Sequence, residues 1–302
     1  MNRRRFVAAS IAQTLALQVV SRAYTPELHP ALIDSHVHVW KRDPAFPFAV
    51  TAHPPAEDAS VEQLLELMHA NQVFRTVLIQ VVHYQWDNRY LASVLKRYPN
   101  IFRGVCRVNP QDPTAPDHLS RLTEVDGFHG VRLSPSASAV DDWIRGPLMQ
   151  PLWRRCAQLK IPMTILTPVT RLPDITPLIE QNPDLTVVID HMADCPINQP
   201  DQLNLLLALA RYPKVFVKIS HLWSLSAAAY PYADTIPQIK SLCQSFGAAR
   251  LMAGTDWPIS LKQLSYARAV DLYRDHLNFL TTQDHAQILH KSVQRVWPFG
   301  IN

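Results

Sequence analysis

The sequence predicts an α/β fold of one kind, the (β/α)8 or TIM barrel, and three observations support this prediction. Eight short apolar runs alternate with segments of helical periodicity. Several of these runs are continuously apolar, as expected of parallel strands that are buried on both faces. The alternation extends over residues 32–297, which is close to the roughly 250 residues that such a barrel requires.

The predicted strands are spaced along the whole of this region. In order, they span residues 31–38, 76–82, 102–108, 130–133, 163–166, 186–189, 215–219 and 250–253. An open doubly wound sheet is the alternative, but it usually carries a glycine-rich phosphate turn after its first strand. The chain has only 7 glycines, and the first of them is Gly104. A nucleotide-binding sheet is therefore disfavoured.

Helix signals lie between the predicted strands. Ser60 and Gln63 have the spacing of a capping box, and the apolar residues that follow share one helix face. Further helical patterns occupy residues 91–98, 203–210 and 288–296, while the proline-rich residues 53–60 are predicted to form a loop over the barrel mouth. The joint at 97–102 (RYPNIF) is echoed at 211–216 (RYPKVF), which indicates one supersecondary unit used twice.

Residues 1–23 have the features of an export signal. Three arginines at positions 3–5 precede Phe6 and Val7, a mainly apolar run covers 8–20, and Ser21-Arg22-Ala23 forms a small-x-small cleavage site. The arginine pair resembles the twin-arginine motif, so we predict a periplasmic protein whose mature part, residues 24–302, is one barrel domain. An ordinary secretion signal, or an amphipathic helix on a cytoplasmic protein, is the alternative.

Charge and cysteine content exclude several classes of function. The predicted signal carries four of the 29 basic residues and no acidic residue, so the remainder of the chain has 25 basic and 25 acidic residues. A near-neutral chain disfavours nucleic acid and, once the signal is cleaved, a membrane surface as partners. The 4 cysteines form no Cys-x-x-Cys pair, which disfavours a thiolate zinc site or a redox motif.

Four polar residues stand at the ends of predicted strands and form a candidate site. His36 and His38 are two apart on the first strand, so their side chains point to the same side. His191 follows the sixth strand and Asp256 follows the eighth. In this fold, ligands and catalytic bases gather at the carboxyl ends of the strands. All four are therefore expected at one mouth, where imidazoles suit a divalent metal.

The motifs around these residues resemble the amidohydrolase superfamily. Residues 34–40 (DSHVHVW), 189–191 (IDH), 218–220 (KIS) and 254–258 (GTDWP) are similar to its lactonase-like "amidohydrolase 2" branch, which includes hydrolases of 2-pyrone-4,6-dicarboxylate and of sugar lactones. The resemblance covers nearly the whole of residues 24–302, in order. It implies that His36, His38, His191 and Asp256 line the active site, where they bind a metal in some members and act without one in others, and that Asp256 activates water.

The sequence also departs from this family in ways that bear on the metal and the substrate. The fifth strand, 163–166, offers no His, Lys or Glu, so a binuclear centre bridged by a carboxylated lysine is not expected. At most one divalent metal is implied, and three histidines with Asp256 favour zinc. His221 stands after the seventh strand in place of the usual glycine, which leaves the substrate uncertain.

Further residues near the strand ends are candidates for substrate binding. An arginine at a barrel mouth suits a carboxylate, because its planar fork binds one bidentately. For Arg132 the alternative is a structural ion pair in the barrel wall, and for Trp257 the alternative is packing of the loops. The candidates are Gln80, His83, Tyr84, Arg132 and Trp257.

The resulting hypothesis is an enzyme that opens a lactone, or another carboxylate-bearing ring, by attack of water with Asp256 as the base. A non-oxidative decarboxylase of the same superfamily is the first alternative. A non-catalytic exported protein that binds a small acid is the second. The sequence names no particular substrate and leaves open whether the chain forms a homo-oligomer.

Overall fold

Eight parallel strands follow one another around the core of the molecule. The structure, a computed structural model, describes residues 31–50 and 53–300, so the predicted export signal lies outside the described residues. The strands are β1 (Leu32–Val37), β2 (Val73–Ile79), β3 (Phe102–Val105), β4 (Val131–Leu133), β5 (Met163–Ile165), β6 (Val187–Ile189), β7 (Val215–Lys218) and β8 (Leu251–Met252). Each predicted strand overlaps one of these.

The strands close into a ring. Pairing is continuous within β1-β2-β3 and within β4-β5-β6-β7-β8. Parallel bridges between Cys106 and Val131 and between Val37 and Trp257 join these two groups at both seams. At the second seam the His38 amide donates to the Trp257 carbonyl at 2.7 Å. The predicted (β/α)8 barrel is thereby confirmed.

Helices pack around the outside of this ring. They are α1 (Val61–Ala70), α2 (Arg89–Arg97), α3 (Ala115–Glu124), α4 (Met149–Leu159), α5 (Leu172–Gln181), α6 (Pro200–Leu207), α7 (Leu222–Leu225), α8 (Ile236–Phe246), α9 (Tyr266–Asp275), α10 (Thr282–Ala286) and α11 (Ser292–Val296). The helical pattern at 288–296 is wider than α11 because residues Gln287–Lys291 form a π-helical turn before it. Among the described residues, no helix is both long and apolar enough to cross a membrane.

Two local signals read from the sequence are confirmed. The Ser60 hydroxyl accepts from the Gln63 amide at 3.3 Å, and the Gln63 side chain accepts from the Ser60 amide at 2.7 Å, so α1 begins with a capping box. The repeated joints also match in three dimensions. The guanidinium of Arg97 lies 4.9 Å from the ring of Tyr98, and that of Arg211 lies 4.8 Å from the ring of Tyr212.

The barrel interior has an apolar floor beneath a polar layer. Inward-facing side chains of the strands pack with Trp297 and Phe299, which follow α11. Above this floor, the ammonium of Lys218 lies 5.2 Å from the Trp297 ring. Lys218, at the end of β7, is fully buried. A buried cation needs polar partners, and these lie at the carboxyl ends of the strands.

Candidate active site

The two histidines of β1 converge as their spacing predicts. The Nε2 atoms of His36 and His38 lie 3.2 Å apart, and both rings are buried. The Nδ1 of His38 lies 2.8 Å from the Ile79 carbonyl. A carbonyl oxygen only accepts, so this Nδ1 carries the proton and the Nε2 lone pair of His38 is left for another partner.

Asp256 completes a compact group with this pair. Its Oδ1 lies 3.6 Å from Nε2 of His36 and 3.5 Å from Nε2 of His38. The residue follows β8 with a φ of 57°, and its amide donates to the His36 carbonyl at 2.9 Å. This backbone bond fixes the left-handed turn that directs the carboxylate at the histidines. Asp256 is therefore held beside the β1 histidines at the seam where β1 meets the end of β8.

A buried carboxylate anchors that turn from below. Asp34 of β1 accepts from the Thr255 amide at 2.9 Å and from the Thr255 hydroxyl at 2.6 Å. Tyr266 of α9 donates a third, longer bond to it at 3.4 Å. These bonds fix the residue before Asp256, so the DSHVH and GTDWP motifs act as one unit.

His191 joins the group from β6. Its ring centroid lies 4.4 Å from that of His36, and its Nδ1 lies 2.8 Å from the hydroxyl oxygen of Ser220. The backbone is left-handed from His191 to Asp194, with φ between 46° and 55°. This tight turn after β6 places the imidazole inside the mouth. The structure thus brings together His36, His38, His191 and Asp256.

His221 belongs to the same cluster, although the sequence analysis assigned it no role. Its ring centroid lies 4.7 Å from that of His191, and its Nε2 lies 3.8 Å from Oδ2 of Asp256. On its other side Nδ1 is 3.6 Å from Oδ1 of Asp194, and the ring packs on Trp223. The available signal was its position just beyond β7, three residues after the strand ends, where His191 lies two residues after the end of β6.

A network of buried charges lies under the histidines. Asp190 places Oδ1 3.0 Å from Nζ of Lys218 and Oδ2 3.0 Å from Nε of Arg132. The same Lys218 ammonium lies 3.1 Å from Nδ1 of His36. Arg132 therefore takes the structural ion pair that was one of its two interpretations, and its contact with substrate stays a prediction. Asp190 and Lys218 were quoted only as parts of motifs.

These surroundings set the charge of the site. Burial, reinforced by Lys218, holds the pKa of His36 well below its usual value, and burial lowers the pKa of His191 to about 4. Burial alone would raise the pKa of Asp256, but the neighbouring imidazoles, His191 foremost, hold it well below its usual range. At neutral pH the site therefore presents the Asp256 carboxylate with the neutral imidazoles of His36 and His191, the protonation state in which such groups bind a cation.

The remaining predicted substrate-binding residues make contacts with loops. The Gln80 amide donates to the Asp87 carbonyl at 2.6 Å, and the Tyr84 hydroxyl is held by the backbone of Lys41 at 2.9 and 3.0 Å. The partly exposed His83 meets the Trp40 ring edge-on at 5.5 Å. Trp257 is buried, and its indole N–H has no acceptor among the described residues. None of these side-chain contacts is with the His–Asp cluster, although the backbone carbonyl of Trp257 accepts from the His38 amide.

The donor atoms of His36, His38 and Asp256 fit a divalent cation. With bonds of about 2.0–2.2 Å, the ligands of a tetrahedral zinc lie about 3.3–3.6 Å apart. The three separations here run from 3.2 to 3.6 Å. In addition, Oδ1 of Asp256 is buried without a hydrogen-bond donor among the described residues. His191, His221 and Asp256 form a second, looser group, with ligand atoms within 4.8 Å of one another.

A closed (β/α)8 barrel with this His–Asp cluster at its mouth defines a class of hydrolytic enzymes, and comparison with known proteins identifies the class. The amidohydrolase family profile matches residues 33–299, and the chain belongs to this family. It is 31% identical over 237 residues to an L-fucono-1,5-lactonase of Burkholderia ambifaria, covering 76% of this chain and 80% of that protein.

Two further relatives agree. A 4-sulfomuconolactone hydrolase of Hydrogenophaga intermedia is 24% identical over 260 residues, 81% of this chain and 83% of that protein. A Pseudomonas putida structure, named as a candidate 2-pyrone-4,6-dicarboxylic acid hydrolase, superposes with a TM-score of 0.78 at 27% identity, covering 91% of this chain and all of that one. The chain is thus an enzyme, a hydrolase similar to lactonases, and the alternative of a non-catalytic binding protein is not supported.

Proposed function

We propose that this enzyme hydrolyses a lactone by attack of water on the ring carbonyl, with Asp256 as the general base. The observation that carries the proposal is the Asp256 carboxylate, which is buried in the histidine cluster, is held in its ionised form, and has no donor to Oδ1 among the described residues. The family relatives named as lactonases support the type of reaction.

The proposed proton transfers all pass through Asp256. The carboxylate takes a proton from the attacking water as the new C–O bond forms at the carbonyl carbon. When the ring C–O bond breaks, Asp256 returns that proton to the departing alkoxide, so that lactone and water give one hydroxy acid. The carboxylate is restored at the end of the cycle. Its lowered pKa ensures that it is ionised at the start.

His36, His38 and Oδ1 of Asp256 are proposed to hold a single divalent cation, which leaves Oδ2 of Asp256 to accept the proton. When bound, such a cation polarises the carbonyl and lowers the pKa of water, which would compensate for the weak basicity of a carboxyl with a lowered pKa. The Ile79 carbonyl orients His38 for this task, and Lys218 with Asp190 fixes the ring of His36. Zinc matches the donor set best.

A lactone panel with two readouts tests the proposal. The purified protein should release acid from 1,4- and 1,5-lactones of sugars and from muconolactones, measured as proton release in weak buffer. Prior incubation with a chelator should slow turnover, and added Zn²⁺ should restore it. Carbon dioxide release from aromatic or muconate-type acids, without acid release from any lactone, would favour the decarboxylase and overturn the proposal.

A further inference from the structure

Arg107, two residues beyond β3, carries a partly buried positive charge that has no carboxylate partner among the described residues. Its Nη1 donates to the Ser134 hydroxyl at 3.1 Å, and its guanidinium lies 5.3 Å from the Trp86 ring. Its Nε is buried and has no acceptor among the described residues, and none of their carboxylates forms an ion pair with it. By contrast, Arg132 pairs with Asp190.

Partial burial weakens the hydration of the Arg107 guanidinium. Burial, with a further contribution from the nearby Arg132, lowers the pKa of Arg107 to about 10. The group nevertheless stays protonated at neutral pH. A partly desolvated guanidinium is stabilised by an anion. Because no described residue forms an ion pair with Arg107, an anionic ligand in the adjoining cavity would supply a stabilisation that water does not.

A cavity in front of the guanidinium can accept such a ligand. It has a volume of about 130 Å³ and is lined by Trp86, Arg107, Arg132, Ser134 and Trp143, among others. We call it the β3–β4 pocket. It shares Trp86 and Arg107 with a larger cavity of about 440 Å³ beside it. A water occupies about 30 Å³ in the liquid, so the β3–β4 pocket has room for a carboxylate and part of a ring.

The β3–β4 pocket also adjoins the proposed reaction centre. Arg132, which lines it, is 3.0 Å from Asp190, and Asp190 is 3.5 Å from His36. The ends of β3 and β4 open at the same mouth as those of β1 and β8. The acid in the pocket wall, Asp141, is already engaged, since it accepts from the Trp143 indole at 2.7 Å and from the Ser136 amide at 2.8 Å.

From these observations we infer that the β3–β4 pocket binds an anionic substituent of the substrate, a carboxylate or sulfonate, with Arg107 as its main charge partner. This inference rests on the proposed function and narrows it to acidic lactones. A guanidinium fork binds a planar oxyanion with two parallel hydrogen bonds, and the flanking indoles suit an unsaturated ring. A neutral sugar lactone has no group to match the charge.

Paired substrates test the inference. Muconolactone and its methyl ester differ only in the anionic group, and wild-type enzyme should prefer the acid in kcat/KM. Loss of one charge-assisted hydrogen bond changes binding by about 10- to 100-fold, so Arg107→Gln should lower kcat/KM for the acid by that factor and leave the ester nearly unchanged. Arg107→Lys keeps the charge without the fork and should fall between them. A sulfonate analogue compared with the carboxylate distinguishes the two anions.

A matched control and a binding assay make the result independent of turnover. Arg89→Gln removes an arginine of the adjoining larger cavity that is exposed and already paired with Asp87, so acid preference should not change. Isophthalate, a planar dicarboxylate without a lactone, should bind wild type measurably by calorimetry, and Arg107→Gln at least tenfold more weakly, while dimethyl isophthalate should not bind.

These assays separate failure of the inference from failure of the proposed function. If no lactone is hydrolysed but isophthalate binding depends on Arg107, the pocket stands and the reaction is wrong. If wild type turns over neutral sugar lactones at least as well as acidic ones, or if Arg107→Gln binds isophthalate like wild type, the inference is overturned.

Discussion

At the scale of single residues, the proposed base is the most direct point of attack. Asp256→Asn keeps size and shape but cannot accept a proton from water, so kcat should fall by at least about 10²- to 10⁴-fold with little change in substrate binding. The imidazoles hold the pKa of Asp256 low, so kcat/KM should show no acidic limb from this carboxyl between about pH 7 and pH 5. A variant that retains more than about a tenth of the wild-type kcat would rule out this base and point to His191.

We propose that binding of the divalent cation depends on His36 and His38 of β1. His36→Ala and His38→Ala should each lower the zinc content of the purified protein and its activity while the fold survives, because each removes one of three converging donors. His221→Ala, which alters only the looser second group, should retain zinc. Elemental analysis measures the zinc content, and circular dichroism checks that the fold survives. Equal zinc content in wild type and both β1 variants would remove the cation from this site.

At the scale of elements, the contact between β1 and the end of β8 has almost no spare room. A Cβ added at Gly254 would lie 2.9 Å from Cβ of His36 and 3.0 Å from Oγ of Ser35. Gly254→Ala should therefore cost about 1–3 kcal/mol of unfolding free energy through overpacking and should displace His36.

Chemical denaturation and kcat, measured together, check this expectation. Gly300→Ala serves as the control, since nothing lies within 4 Å of its added Cβ. If Gly254→Ala unfolds at the same denaturant concentration as wild type and keeps full activity, the close packing does not position His36.

The strands and the residues at their ends show how much of the fold could be predicted from the sequence. Apolar runs located the strands because each is buried on both faces, and strand-end residues located His36, His38, His191 and Asp256 because parallel strands share one mouth. Boundaries were less secure. The second strand begins at Val73, before the predicted residue 76, since the charged Arg75 interrupts the apolar run.

Contacts between distant parts of the chain were beyond pattern analysis. Lys218 looks like a solvated lysine until β7 is placed beside β6, where Asp190 meets its ammonium. The same is true of Arg107, because the lack of an acceptor for its Nε atom becomes clear only when the neighbouring residues are placed around it. His221 carried no periodic signal, because it sits in a left-handed turn outside any strand.

At the scale of the whole molecule, export stays a prediction. The arginine-rich start and the Ser21-Arg22-Ala23 site should direct cleavage after Ala23, so the mature protein should begin at Tyr24. N-terminal sequencing of the periplasmic fraction measures this directly. Lysine in place of the arginine pair at positions 3 and 4 should retain the protein in the cytoplasm if the twin-arginine route is used. A full-length chain that remains cytosolic would contradict export.

The four cysteine thiols can serve as probes of where the barrel unfolds. All four cysteines are free. Burial raises the pKa of Cys195 and Cys243 to about 11. Cys106, which follows β3, and Cys156, which lies on α4, are fully buried. Alkylating reagents attack accessible thiolates, so labelling of the buried Cys106, Cys156 and Cys195 should await local or global unfolding, whereas the partly exposed Cys243 should react first. Because the three buried sites lie on different elements, the order in which they react would trace which part of the ring separates first.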